Sequence, residues 1–131
     1  MRALGLYKEL EPRRPGIFRE SLIEAVRVAP GRLEGNLAEY LDSGIPLVDI
    51  MESTTDVVGG EERISGGSSI LTDGSWVWRQ DLPFYVRNYH LVLDDNFIAH
   101  AVEMNFVIPQ QERATLLALA DTVTREVLNM S

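Results

Sequence analysis

The sequence has 131 residues, no cysteine and a formal net charge of -8. That length predicts one domain, residues 1–131, and the absence of cysteine excludes disulfides, thiolate nucleophiles and zinc sites that need sulfur ligands. The acidic balance disfavours nucleic acid and anionic membranes as partners. Because no apolar run could cross a bilayer or form a signal-peptide core, we expect a cytoplasmic protein.

Two amphipathic helices are predicted in the first third of the chain. The first begins at Ile17 and is stopped by Pro30-Gly31, and the second begins at Leu33 and ends at Gly44, a suitable left-handed cap. In both, apolar residues recur at helical spacing. These residues are Phe18, Leu22, Ala25 and Val26, then Leu33, Leu37, Tyr40 and Leu41. We expect the two helices to form a helical hairpin.

A strand and an acidic loop are predicted next. Residues 46–51 are short, apolar and partly β-branched, which is typical of a strand. Between Asp42 and Glu62 the chain carries six acidic residues and no Lys or Arg. Hydroxyl residues and Gly59-Gly60 give the later half of this stretch loop chemistry, so we expect an exposed acidic loop over residues 53–67.

A β-hairpin is predicted around Asp73-Gly74. Asp-Gly between two strand-prone runs is a preferred two-residue turn, because both central residues need a positive φ. With that turn, Leu71 pairs with Trp76, and Leu71, Trp76 and Trp78 share one face of the hairpin. Ile70 and Val77 share the other face, so the hairpin should lie in a sheet covered by helices.

Three further helices are predicted after the hairpin. Asp81 is placed to cap the first, whose first turn admits Pro83 because a proline there loses no hydrogen bond. Asp94 is placed to cap the next, and the last begins near Gln110. The sequence therefore predicts an α+β fold: a small, mainly antiparallel sheet with a hairpin at residues 68–79, packed by about five helices.

The hairpin and the residues that follow it also contain a spaced sequence motif. It consists of Asp73-Gly74-x-Trp76-x-Trp78, then Asp81-Leu82, Tyr85, Tyr89-His90, Leu93 and Phe97. Over roughly residues 66–100 this pattern resembles an uncharacterised family of small bacterial proteins, and the resemblance transfers no functional residue. In size, acidity and α+β composition the chain is also similar to the immunity proteins that neutralise bacterial toxins.

Aromatic and ionisable residues near the hairpin define one candidate pocket. Trp76 and Trp78 fit a core position better than a stacking platform, because large aromatic side chains dominate core packing. His90 is either a half-buried histidine that donates to a backbone carbonyl or a general base oriented by Asp73 or Asp81. As the pocket of a small cofactor-independent enzyme, the candidate residues are Trp76, Trp78, Asp81, Tyr85 and His90.

Metal and nucleotide sites are not predicted. His90 and His100 lack the i, i+4 spacing that aims two imidazoles at one ion. Gly66-Gly67-Ser68-Ser69 precedes a strand rather than a helix and has no following Lys, so it is not a phosphate loop. We therefore expect no metal and no cofactor.

An acidic run is the feature that the fold does not obviously require. Residues 1–32 hold seven Lys and Arg against four acids, a net of +3, whereas residues 33–131 hold five against sixteen, a net of -11. Arg63 and the basic N-terminal segment could neutralise this run within the chain, or a basic partner could. The candidate partner-binding residues are Asp49, Glu52, Asp56, Glu61 and Glu62.

The sequence favours a protein-binding or inhibitory protein, immunity-like, that engages a basic protein partner. We expect this role rather than catalysis. Two alternatives stay open. One is the small enzyme with a pocket near His90, Tyr85 and Asp81, and the other is an oligomeric structural protein in which the final helix pairs with its copy.

Overall fold

Residues 2–128 are described by the structure, a computed structural model, as five helices and six strands. The helices are α1 (Leu22–Ala25), α2 (Glu34–Asp42), α3 (Leu82–Tyr89), α4 (Asp95–Glu103) and α5 (Arg113–Glu126). The strands are β1 (Arg2–Ala3), β2 (Ile45–Val48), β3 (Ser53–Thr55), β4 (Arg63–Ser65), β5 (Ile70–Thr72) and β6 (Trp76–Arg79). The predicted α+β fold is confirmed.

Four strands form the larger sheet, in the order β1-β6-β5-β2. Strand β5 is antiparallel to both β6 and β2, and β1 is parallel to β6, so the sheet is mainly antiparallel as expected. Strands β3 and β4 form a separate antiparallel hairpin over residues 53–65. The prediction of a loop over residues 53–67 is therefore wrong, because hydroxyl and β-branched residues on both sides of Gly59-Gly60 pair with each other.

The β5–β6 hairpin is confirmed, but its predicted register is wrong. Leu71 pairs with Trp78 instead of Trp76. The turn is centred on Gly74-Ser75 rather than on Asp73-Gly74. Because the pairing moves by two residues, every side chain keeps its predicted face of the sheet.

The side chain of Asp73 explains the position of the turn. Its Oδ1 accepts hydrogen bonds from the backbone N–H groups of Ser75, at 2.9 Å, and Trp76, at 2.7 Å. An aspartate does this from the position before the turn, not from within it. Gly74 then takes the left-handed residue of the turn, with a φ of 98°.

Both faces of the larger sheet are covered. On one face, Trp76 and Trp78 contact Phe97 edge to face, with ring centroids 5.4 and 5.8 Å apart. The prediction that both tryptophans belong to the core is confirmed, since they are 4% and 0% exposed. On the other face lies a second cluster, made of Leu6, Phe18, Ile70, Val77, Val123 and Val127.

The first helix is shorter than the sequence predicted. It begins at Leu22 instead of Ile17, because side chains from outside the helix satisfy its first N–H groups. The carboxylate of Glu9 accepts from the N–H of Leu22 at 2.8 Å and of Ile23 at 3.2 Å. Ser21 caps the same end by accepting from the N–H of Glu24.

Gly44 follows α2, as predicted, but not as a left-handed cap. It is absent from the positive-φ glycines among residues 2–128. Its role is close approach: a Cβ at this position would lie 2.7 Å from Cζ2 of Trp78 and 2.8 Å from Cβ of Leu71. Only glycine lets this connection cross the tryptophan at that distance.

The last helix covers the sheet with only part of its apolar face. Helix α5 packs against β2, and Val123 is its one fully buried residue. Leu117, also on this helix, is 59% exposed. No helix within residues 2–128 combines the length and the apolar character needed to cross a membrane.

Candidate functional site

Four of the five predicted partner-binding residues are exposed carboxylates. We call Asp49, Glu52, Glu61 and Glu62 the acidic surface. None of them forms an ion pair with any Lys, Arg or His of the described chain. The carboxylate of Glu52 accepts one hydrogen bond, from the Ser68 hydroxyl at 2.8 Å.

The acidic surface has two parts. Asp49 and Glu52 line a polar cleft of about 460 Å³ beside Ser69 and Gln80, at the open end of the β3–β4 hairpin. Glu61 and Glu62 lie in the loop that connects β3 to β4. Each of these strands has three residues, so this loop lies about 10 Å from the open end of the hairpin. The side chain of Met51, between Asp49 and Glu52, is fully exposed.

Asp56, the fifth predicted residue, does not belong to this surface. It is 3% exposed, because its carboxylate holds the β3–β4 loop on helix α3. The Tyr89 hydroxyl and the N–H of Val58 both donate to it. Burial alone would raise the pKa of Asp56, but these hydrogen bonds outweigh burial and lower the pKa. The prediction of Asp56 as a partner-binding residue is not supported by this position.

Asp81 is likewise buried in a different role from the one predicted. It stands at the start of α3, but its side chain makes no capping hydrogen bond. Instead its two oxygens accept from Arg79, at 3.1 and 2.9 Å, and from the Thr54 hydroxyl at 3.2 Å. Burial raises the pKa of Asp81, and the guanidinium of Arg79 opposes that shift without reversing it.

The candidate enzyme pocket is not brought together as predicted. Trp78, Asp81 and Tyr85 are fully buried. The Tyr85 hydroxyl accepts from the N–H of Val57, at 3.0 Å, so it faces the β3–β4 loop. Burial raises the pKa of Tyr85 to about 12. His90 lies at the opposite end of α3, where it contacts a residue that sequence reasoning missed.

That residue is Glu34, in the first turn of α2. Its Oε1 lies 2.8 Å from Nδ1 of His90, so the carboxylate that orients this imidazole is neither Asp73 nor Asp81. His90 itself caps α3 in a left-handed conformation, with a φ of 54°. No local signal in the sequence connects two residues 56 positions apart.

Asp73 is a buried junction rather than a site open to solvent. Besides its two turn hydrogen bonds, it accepts from the Tyr40 hydroxyl at 2.6 Å. Nε2 of His100 lies 3.0 Å from the same carboxylate, although not in line for a hydrogen bond. Burial and the bond to Asp73 raise the pKa of Tyr40. The junction joins α2, the β5–β6 turn and α4.

An apolar cavity of about 550 Å³ opens between α2, α4 and the segment after α3. Its floor is made of buried side chains: Leu37, Val86, Leu91 and Leu93. Val92 and Val102, each about half exposed, flank its mouth. Arg32 and Glu34 are the charged residues that line it.

No group of three or more His, Asp and Glu that could hold a metal ion occurs within residues 2–128. This finding bears on the described side chains alone. Searches for similar proteins add no further constraint on the site: no protein-family model matches the chain, and no curated protein or solved structure is significantly similar to it.

Proposed function

We propose that the protein binds a basic protein partner through the acidic surface, in an inhibitory, immunity-like role. One observation carries this proposal: the carboxylates of the acidic surface are exposed and form no ion pair in the part of the chain that the structure describes. By contrast, the carboxylates of the buried acids Asp56, Asp73 and Asp81 each accept two or more hydrogen bonds inside the fold. Charge left without a partner at a surface raises the local potential and attracts a cationic protein.

The positive charges within residues 2–128 do not pair with the acidic surface. Arg2 lies over the ring of Trp76, 4.3 Å from its centroid, and Arg14 lies 5.8 Å from the ring of Phe18. Arg63, next to Glu62 in sequence, forms no ion pair within residues 2–128. Neutralisation within the chain, the competing explanation, is therefore the less favoured one.

Met51 supports a protein partner over a small cation. A fully exposed methionine between two carboxylates offers a flexible, polarisable contact of the kind that adaptable binding surfaces use. The carboxylates would set association rate and specificity, and Met51 would contribute apolar contact area beside Asp49 and Glu52.

The test measures association before and after the acidic surface is neutralised. The immobilised protein captures basic proteins from a low-salt extract, and association kinetics are then measured with the purified partner. We expect association to slow at least tenfold in the variant and to weaken in the wild type as salt rises, because exposed charges are screened. The variant carries Asp49→Asn, Glu52→Gln, Glu61→Gln and Glu62→Gln.

A matched control separates this surface from the general acidity of the chain. It neutralises the same number of exposed acids elsewhere and should leave association within about twofold of the wild type. Its substitutions are Asp95→Asn, Glu103→Gln, Glu112→Gln and Glu126→Gln. A partner that is itself acidic, or one that binds both variants equally well, contradicts the proposal.

A second candidate is a small enzyme that uses His90 as a general base. The Glu34–His90 contact favours it, because a carboxylate on Nδ1 fixes the tautomer that leaves Nε2 free to take a proton. An activity abolished equally by Glu34→Gln and His90→Gln, with the fold retained, would favour this candidate over partner binding.

Self-association through α5 is a third candidate. The observations behind it are the exposed Leu117 and, on another face of α5, a shallow depression lined by Ala114 and Ala118. Light scattering during size-exclusion chromatography would decide it. A dimer that dissociates in Leu117→Glu supports self-association, and a monomer at all concentrations removes it.

A further inference from the structure

We propose that the apolar cavity between α2 and α4 binds a small apolar molecule with a carboxylate head group. The cavity shares no residue with the acidic surface. Its volume, about 550 Å³, lies within the range of sites that bind small molecules. Failure of this proposal would therefore leave the proposed partner binding untouched, and the reverse also holds.

The lining specifies the apolar body of the ligand. Ten of the twelve lining residues have no ionisable side chain, and all but Gly31 of these are aliphatic or aromatic. The floor side chains Leu37, Leu91 and Leu93 are each 6% exposed, so the cavity reaches the main core. Transfer of a hydrocarbon chain from water into this cavity buries no polar group, and each methylene increases the binding affinity.

Arg32 specifies the head group. It is exposed at the mouth, and it forms no ion pair within residues 2–128. Glu34, the other charged lining residue, is already in contact with His90. The unengaged charge at the mouth is therefore positive, and a planar guanidinium matches a carboxylate with two parallel hydrogen bonds.

The backbone at the far wall supports a binding role. Asn105 and Phe106 both have positive φ values, 54° and 57°. Asn105 closes α4 in a Schellman motif, in which the N–H of Phe106 bonds to the carbonyl of Ala101 at 2.9 Å. That motif explains Asn105 but does not require Phe106 to be left-handed. Phe106 lines the cavity, and strained bulky residues are concentrated at ligand sites.

The experiment is a calorimetric titration of the full chain with octanoate, decanoate, decanol and decylammonium, the three ionic compounds below their micelle concentrations and decanol below its solubility limit. We expect decanoate to bind with one-to-one stoichiometry, about sixteenfold more tightly than octanoate, since each added methylene contributes about fourfold. Decanol should bind about tenfold more weakly than decanoate, because it cannot form the ion pair with Arg32. Decylammonium should bind more weakly still.

Two pairs of variants locate the site. Arg32→Gln should weaken decanoate about tenfold and leave decanol unchanged, whereas Arg113→Gln on α5 should change neither. Val102→Trp should fill the mouth and abolish both titrations, whereas Leu117→Trp, at a similarly exposed position of α5, should not. The proposal is overturned if decanoate does not saturate the protein, if it binds Val102→Trp as well as the wild type, or if decylammonium binds as tightly as decanoate.

Discussion

Removing the charge of Asp81 tests how the fold holds a buried ion pair. Arg79 is 4% exposed and Asp81 is fully buried, and their two hydrogen bonds measure 3.1 and 2.9 Å. In Asp81→Asn the guanidinium loses its charged partner, and Glu11, 3.7 Å away, is partly exposed to solvent. Breaking a buried pair in this way costs about 3–5 kcal/mol. For a chain of this size we expect Tm to fall by about 10–18 °C.

The complementary variant, Arg79→Met, should behave differently with pH. It leaves a buried carboxylate that can take up a proton, and burial already raises the pKa of Asp81. Because this folded pKa lies above the unfolded value of about 3.9, the free energy of unfolding falls as pH rises from the unfolded pKa to the folded pKa. It is recovered when the pH is lowered again. Asp81→Asn has no carboxylate at this position, so its loss of stability should lack this dependence on pH.

Urea unfolding, followed by the fluorescence of the two buried tryptophans, measures all four members of the double-mutant cycle. We expect Arg79→Met combined with Asp81→Asn to be within about 2 kcal/mol of the wild type, because no buried charge is then left alone. The reasoning fails if Asp81→Asn alone costs less than about 1 kcal/mol, or if the double variant costs the sum of the two single ones.

Two other predictions concern the β3–β4 loop and the α2–β2 connection. The pKa of Asp56 is lowered, so the stabilisation that its carboxylate gives the β3–β4 loop is complete above the ordinary aspartate pKa and is lost as pH falls through the folded pKa. Amide exchange of this loop should rise as that stabilisation is lost, and in Tyr89→Phe it should rise at a higher pH. Gly44→Ala should destabilise the protein by about 1–3 kcal/mol, because its Cβ would overlap Trp78, whereas Gly35→Ala, with open space around it, should stabilise by about 0.5–1 kcal/mol in urea unfolding. An unchanged pH profile in Tyr89→Phe, or equal effects of the two alanine variants, would contradict these accounts.

Periodicity and turn composition predicted most of the fold. The alternation in residues 70–78 placed Trp76 and Trp78 on the correct face, and Asp94 caps α4 as expected, since its side chain accepts from the N–H of Asn96 at 2.7 Å. These are local properties, set by neighbours within a few positions. The predicted register of the hairpin was wrong, because the register depends on which backbone N–H groups donate to the Asp73 carboxylate, and composition does not specify this.

The candidate site was less predictable, because it depends on which acids become buried. Asp56 and Glu61 look equivalent in an acidic run, yet only Asp56 meets a tyrosine hydroxyl from α3. The Glu34–His90 contact and the cavity beside it join segments that are distant in the chain. Such contacts follow from the packing of helices, and one sequence carries no signal for them.

Pairing of β1 with β6 delays the closure of the core during synthesis. Arg2 lies opposite Trp76, which follows it by 74 residues. Joining segments so far apart costs about 2 kcal/mol more conformational entropy than closing a ten-residue loop. A ribosome that adds about 5–20 residues per second would leave Leu4, which is buried and donates its N–H to the carbonyl of Val77, without this partner for about 4–15 s. The larger sheet is therefore completed only after β6 has been synthesised.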